Sequence, residues 1–236
     1  MSGALLVVIP AHNEAANLPA VIAELRVGGL TPDIVVVDDG SRDGTAAVAR
    51  GFGCVVLELP FHLGYGAAVQ TGVKYGLRKG YDVVVSFDGD GQHDPADLPA
   101  LVAAVDQGAD LAIGSRFLDP RSYRGGALRR SGRALLAALS HAFGLPMTDP
   151  TSGLKALGPR GQELFALARF PDRFPDADAL IVARRSRLRL VERPARMRPS
   201  RNRHSMHDGH RAVAYAFNML LSLLVAAAGR EADLRG

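Results

Sequence analysis

Five short apolar runs, rich in valine and isoleucine, punctuate residues 1–115, and their regular spacing leaves few folds open. The runs are Leu5–Ile9, Ile34–Val37, Val55–Leu57, Val83–Phe87 and Leu111–Ile113. They scarcely alternate apolar with polar residues, which is how strands covered on both faces of a parallel sheet read. Between them, Leu18, Val21, Ile22 and Leu25 recur at helical spacing, as do Leu98, Leu101, Val102 and Val105. Asp94-Pro95 reads as an N-cap followed by proline at the first helical position. The βαβαβαβαβ order predicts right-handed crossovers and a doubly wound α/β layer.

In such sheets ligands bind beyond the carboxyl ends of the strands. Polar residues gather at four of those ends: Pro10-Ala11-His12-Asn13-Glu14, Asp38-Asp39-Gly40-Ser41, Asp88-Gly89-Asp90 and Gly114-Ser115-Arg116. The third is the most telling. Two carboxylates stand two residues apart where a buried strand surfaces into a glycine-rich turn, and they repel one another unless a cation lies between them. A hard divalent ion that also holds a diphosphate is the natural occupant. Among the alternatives for these residues, a solvated acidic turn or a plain helix cap by Ser41 or Asp43 stays open.

At 236 residues and 47% hydrophobic content, the chain suits one sizeable globular domain. Its start has no basic segment and too short an apolar stretch for a signal peptide. Cys54 stands alone, so no intramolecular disulfide forms; it reads as a buried small hydrophobe or a reactive thiol, and the count fits a reducing cytoplasm. Charge is uneven. Residues 1–115 carry 6 basic and 14 acidic side chains, whereas residues 116–236 carry 22 and 10. A basic half suits anionic lipid or phosphorylated substrates. Without tryptophan or interleaved aromatics, nucleic acid is not an expected partner.

Beyond Phe117 the pattern becomes a Gly/Arg/Pro loop (119–130), then a helical segment carried by Leu128, Leu135, Leu136, Leu139 and Phe143. Asp149-Pro150-Thr151-Ser152-Gly153-Leu154-Lys155 reads as a polar turn, Leu180–Ala183 as helix, and Leu188–Glu192 as an edge strand. A basic loop (196–210) precedes 17 uncharged residues, Ala212–Ala228, with Val213, Phe217, Leu220, Leu221 and Leu224 at helical spacing. Seventeen is at the short end for a spanning helix. With ten arginines in residues 184–211, the segment reads as an anchor at a membrane surface or against a membrane protein; packing on the domain or in a homodimer is the alternative. The expected division is therefore a catalytic domain at 1–211 and an apolar helix with tail at 212–236.

Taken in order, several stretches resemble the family 2 inverting glycosyltransferases, especially the dolichol-phosphate mannose synthase and polyprenyl-phosphate glycosyltransferase branch. They are Val8–Glu14, Val36–Thr45, Gly64–Ala68, Asp88–Pro95, Gly114–Phe117 and Asp149–Gly153. The resemblance covers nearly the whole chain. It implies a glycosyltransferase-A fold, a nucleotide-diphosphosugar donor and Mg²⁺ or Mn²⁺ held by Asp88, Asp90 and Gln92. All three offer oxygen, which suits a hard ion over zinc. His93 reads as a supporting or capping residue. Pro10, His12 and Glu14 would border base and ribose, helped by Asp38 or Asp39.

Gly64–Ala68 opens a helix with small residues, which serve either a phosphate contact or close packing. Arg116, with Arg129 or Arg130, falls where the family places cations near the diphosphate and acceptor phosphate. Asp176 and Asp178 fall near its acceptor, as general base for a hydroxyl or as positioning groups for an already anionic phosphate. Arg201 and Ser205 lie in the family's basic closing loop, where Asn202, Arg203 and His204 replace the usual glycines.

The expected activity is transfer of a hexose from GDP-mannose or UDP-glucose to polyprenyl or dolichyl phosphate, peripherally at the inner face of the cell membrane. A hydroxyl acceptor and a non-catalytic nucleotide-sugar binder are the competing readings. A nucleotidyltransferase lacks its expected glycine-rich, lysine-containing loop.

Overall fold

All five expected strands form, and they share one seven-stranded sheet with two more. The computed structural model describes residues 3–118, 145, 147–167 and 177–198. In chain order these give β1 (Leu5–Ala11), α1 (Leu18–Val27), β2 (Asp33–Asp38), α2 (Thr45–Gly51), β3 (Val55–Glu58), α3 (Tyr65–Lys79) and β4 (Val83–Ser86). A 3₁₀ turn (Pro95–Asp97) then runs into α4 (Leu98–Asp106), followed by β5 (Leu111–Ser115), β6 (Lys155–Leu157), α5 (Pro159–Ala166), α6 (Ala177–Arg185) and β7 (Leu190–Pro194). The strand order is β3-β2-β1-β4-β6-β5-β7. Every pairing is parallel except those of β6, which runs antiparallel between β4 and β5. The sheet is thus mostly parallel, as a doubly wound layer requires, and β6, which begins at the last residue of the expected polar turn, is a strand the sequence pattern did not reveal.

Both faces of the sheet are covered, which is why its central strands read as continuous apolar runs. Val7, Ile9, Val36 and Val85 meet α1, α2 and α4 on one face. Leu6, Val8, Val35, Val84 and Ile113 meet α3, α5 and α6 on the other. The four α1 residues picked by spacing are all buried, each stabilising the fold by about 1.5–3 kcal/mol. Asp94 caps the 3₁₀ turn as expected, its carboxylate accepting from Ala96 N at 3.0 Å with Pro95 next in line.

Small residues let α3 lie close to the sheet. A Cβ on Gly72 would stand 2.1 Å from Val8 Cγ1, and one on Gly76 would stand 2.5 Å from Val84 Cγ2. Gly66 and Ala68 are buried in the same helix, in keeping with the packing role for its small residues. Leu190–Pro194 is an edge strand, shifted two residues from the expected span, and α6 contains Leu180–Ala183. The helical segment 128–143, the apolar helix 212–228 and the boundary at 211 lie outside the described residues. Among the described residues, no helix is long and apolar enough to cross a membrane.

Candidate active site at the strand ends

The ends of β1, β2 and β4 are knitted together by side chains capping one another's loops. After β1, Asn13 adopts φ 57° and its N–H donates to Ser41 Oγ at 2.9 Å. Glu14 N donates to Thr45 Oγ1 at 2.9 Å, and Ala15 N to Asp43 Oδ2 at 3.0 Å. Asp43 also accepts from Thr45 N. Ser41 and Asp43 thus join the loop after β1 to the loop after β2, beyond simply capping α2. Asp38 accepts from Ser41 N at 3.1 Å, a local Asx-type turn.

Asp39 is only 3% exposed, and its carboxylate turns away to hold the loop that starts α3. Its Oδ1 accepts from Leu63 N at 2.7 Å, and its Oδ2 from Gly64 N at 2.8 Å. The His62 Nδ1 lies 2.8 Å from Oδ2. Of the amides of Gly64–Ala68 that the sequence offered to a phosphate, that of Gly64 is therefore engaged by a carboxylate of the protein itself, together with the preceding Leu63 N. The Asp39 carbonyl lies 2.7 Å from His12 Nδ1, and the His12 and His62 rings pack with centroids 4.1 Å apart. Gly40, at φ +68°, is obligatory here: a Cβ would stand 2.8 Å from His62 N.

The acidic turn rests against the end of β1. A Cβ on Gly89 would stand 3.3 Å from Ile9 Cγ2 and 3.4 Å from the Pro10 carbonyl oxygen, so the turn lies in contact with the strand end. Half-buried Glu14 accepts from Asn17 Nδ2 at 2.6 Å. Burial pushes its carboxyl up, Asn17 opposes, and the charges of Asp90, Asp43 and Asp88 push it further up.

Asp88 accepts from the Tyr65 hydroxyl at 2.9 Å on Oδ1 and lies 2.9 Å from His93 Nε2 on Oδ2. Burial raises its carboxyl, but His93, the Tyr65 hydroxyl and the charge of Lys155 outweigh that and hold it below the usual range. Asp90 goes the other way, raised by burial and by Asp88, with Gln92 N, 2.9 Å from its Oδ1, opposing. Two neighbouring carboxylates split in this manner form a pair that a cation would relieve.

Asp88, Asp90 and Gln92 share one short turn and offer only oxygen-type donors suited to a hard ion. No group of three His, Cys, Asp or Glu able to enclose an ion occurs among the described residues. The oxygen donors of Asp88, Asp90 and Gln92 fit Mg²⁺ or Mn²⁺, which take one or two carboxylates and complete their shell from substrate phosphates and water.

Arg116 follows β5 and is committed to a protein partner. Its Nε and Nη2 bind Asp149 Oδ2 and Oδ1 at 2.6 and 2.7 Å, and Nη2 also reaches Thr151 Oγ1 at 2.9 Å. Asp149 is fully buried, and Glu192 beside it accepts from Thr148 N and Asp149 N. Arg116 thereby fastens the Asp149–Gly153 loop beneath the acidic turn. The segment after β7 closes the same turn from outside. Met197 bridges to His93, Arg198 N donates to Gln92 O at 2.8 Å, and the Arg198 guanidinium reaches Asp94 and Glu24.

Of the residues singled out by sequence, Pro10, His12, Glu14, Asp38, Asp39, Asp88, Asp90, Gln92 and Arg116 all stand at the strand ends. Asp178 lies in the first turn of α6, with its side chain outside the described residues. Asp176, Arg129, Arg130, Arg201 and Ser205 also lie outside them. Tyr65, Gly153 and Lys155 were given no role beside Asp88, although Tyr65 and Gly153 belong to stretches that carry the resemblance and Lys155 follows two residues after one. No local signal says that they meet Asp88.

Residues 6–148 match the profile of glycosyl transferase family 2. The chain belongs to that family. Among relatives of this family 2 chain, a polyprenol monophosphomannose synthase of Mycolicibacterium smegmatis is 40% identical over 159 residues, covering 64% of this chain and 60% of the relative. An undecaprenyl-phosphate mannosyltransferase of Micrococcus luteus is 36% identical over 164 residues, covering 64% and 65%. The chain thus matches under two thirds of the length of these two. In three dimensions it is similar to glucosyl-3-phosphoglycerate synthase of Mycobacterium tuberculosis in complex with Mn²⁺, UDP and phosphoglyceric acid. The TM-score is 0.72 at 25% identity, over 97% of this chain and 80% of that one.

Proposed function

We propose that this chain is a metal-dependent, inverting hexosyltransferase that moves a hexose from a nucleotide diphosphosugar, of the GDP-mannose or UDP-glucose type, to polyprenyl phosphate. The Asp88–Gln92 turn, opposed by Glu14 and set at the ends of β1, β2 and β4, carries the reading. The names of the two mannosyl-transferring relatives support the acceptor, and the Mn²⁺–UDP complex of the structural neighbour supports the cation.

In this reading the forming bond joins an acceptor phosphate oxygen to the anomeric carbon. The breaking bond joins that carbon to the donor diphosphate, which leaves with its electron pair from the opposite face. A divalent ion held by Asp88, Asp90 and Gln92 would supply Lewis-acid neutralisation of that leaving charge. Pro10, His12, Glu14 and Asp38 border the nucleotide, while Asp39 acts one step back by shaping the loop into α3. Arg116 holds the Asp149 loop. Arg129, Arg130, Arg201 and Ser205 contact the donor or acceptor phosphates, by the resemblance. The acceptor oxygen is anionic near neutral pH, so Asp176 and Asp178 position rather than deprotonate it. The basic C-terminal half and the apolar 212–228 segment of the sequence support a peripheral position at the cytoplasmic membrane face.

A second reading keeps the donor and takes a hydroxyl acceptor. The likeness to glucosyl-3-phosphoglycerate synthase favours it, since that likeness spans 97% of the chain. A thermal-shift panel of GDP-mannose, UDP-glucose, UDP-GlcNAc and UDP-galactose, each with Mn²⁺ or EDTA, tests the donor site. A metal-dependent rise with one donor is expected; no rise with any of them refutes it. Transfer assays with that donor, offering polyprenyl phosphate or phosphoglyceric acid, then separate the acceptors. Asp176→Asn and Asp178→Asn should slow a hydroxyl acceptor far more than a phosphate.

A further inference from the structure

Asp88 is enclosed by residues from three separate stretches of chain. From the first turn of α3, Tyr65 donates its hydroxyl to Oδ1 at 2.9 Å. From beyond the acidic turn, His93 sets Nε2 2.9 Å from Oδ2. The His93 ring is itself immobilised: it is 4% exposed, lies edge-on to Phe87 with centroids 5.6 Å apart, and its backbone bridges to Met197. On a third side stands Gly153, just ahead of β6. A Cβ there would lie 2.7 and 2.9 Å from the two Asp88 oxygens and 2.8 Å from the Tyr65 hydroxyl. Its backbone is not left-handed, so what excludes a side chain is space, not φ.

We propose that Tyr65, His93 and Gly153 are positioning residues for the donor site, which together fix the direction of the Asp88 carboxylate before a cation and diphosphate arrive. This rests on the donor-site reading above. Each carboxylate oxygen receives one hydrogen bond from the protein and keeps a further lone pair. The carboxylate therefore remains a ligand while losing its freedom to rotate. Outer residues of this kind set metal affinity by orienting the ligand, and their loss typically weakens binding about 10–100-fold. Lys155, 3% exposed on the strand that follows Gly153, adds a positive charge below the same carboxylate. The cradle thus depends on β6 being inserted between β4 and β5.

The test is Mn²⁺ affinity, read by electron paramagnetic resonance of the free ion with either UDP or GDP present, on wild type, Tyr65→Phe, Gly153→Ala, His93→Gln and His93→Phe. Melting temperature is measured alongside. Tyr65→Phe should weaken Mn²⁺ about tenfold or more while melting close to wild type, and Gly153→Ala should weaken it as much with a lower melting temperature, since its Cβ must push the carboxylate or the hydroxyl aside. His93→Gln, which keeps an N–H at similar reach, should retain more affinity than His93→Phe. If wild type binds Mn²⁺ but Tyr65→Phe and Gly153→Ala bind within twofold of it, the positioning role is refuted and the donor site stands. If wild type binds no Mn²⁺ with either nucleotide, the donor-site reading falls, and this inference with it.

Discussion

Replacing Asp39 with alanine separates two roles that a carboxylate at this position can have. As a nucleotide contact alone, it would leave the ligand-free protein unchanged and weaken only donor binding. Its geometry predicts otherwise. Asp39 is 3% exposed and accepts from Leu63 N at 2.7 Å and Gly64 N at 2.8 Å. Removing it leaves two amides without their acceptor at the start of α3, each costing roughly 1–3 kcal/mol. The sum is about 2–6 kcal/mol. In a chain of this size each kcal/mol moves the melting temperature by about 2–4 °C, so a fall of about 4–24 °C is expected without any ligand. His62 pairs with the same carboxylate but is 59% exposed, so His62→Ala should cost less than about 1 kcal/mol. Differential scanning fluorimetry and urea unfolding of the ligand-free proteins read both effects. A melting temperature for Asp39→Ala within 2 °C of wild type would refute the clamp argument.

Two further outcomes follow from the ionised and hydrogen-bonded groups. Arg116→Met strands the fully buried Asp149 carboxylate and should cost about 3–5 kcal/mol in urea unfolding, with the Arg116→Met/Asp149→Leu double variant recovering much of the loss. Tyr81 has its phenol pushed up to about 12, first by burial and then by its hydrogen bond to Asp33 at 2.8 Å. Because the folded value lies above the unfolded one, near 10, its stabilising contribution is complete below pH 10 and is lost between pH 10 and about 12. Absorbance titration at alkaline pH should show a late-ionising component that moves back towards 10 in Asp33→Asn.

The first five strands and the α1 and α4 faces were legible because each signal is local. Valine-rich runs and a repeat of three and four residues need no knowledge of distant partners. Asp88 and Asp90 were legible for the same reason, since their mutual repulsion is written into adjacent positions. β6 was not, because it is three residues long, includes a lysine, and gains its stability from β4 and β5 on either side. The partner of Arg116 was equally hidden, Asp149 lying 33 residues further along.

From the sequence alone came the α/β class, the end of the sheet where the candidate site lies, and the pair of carboxylates that marks it. Tertiary structure decided which acids stay open to a ligand and which are turned inward. Asp39 became a clamp because the loop entering α3 brings two amides to it. The Asp88 carboxylate is held in one direction because Tyr65, His93 and Gly153 meet around it. The physical reason is that hydrophobic periodicity repeats along the chain, whereas a carboxylate's role depends on the donors that packing brings within about 3 Å.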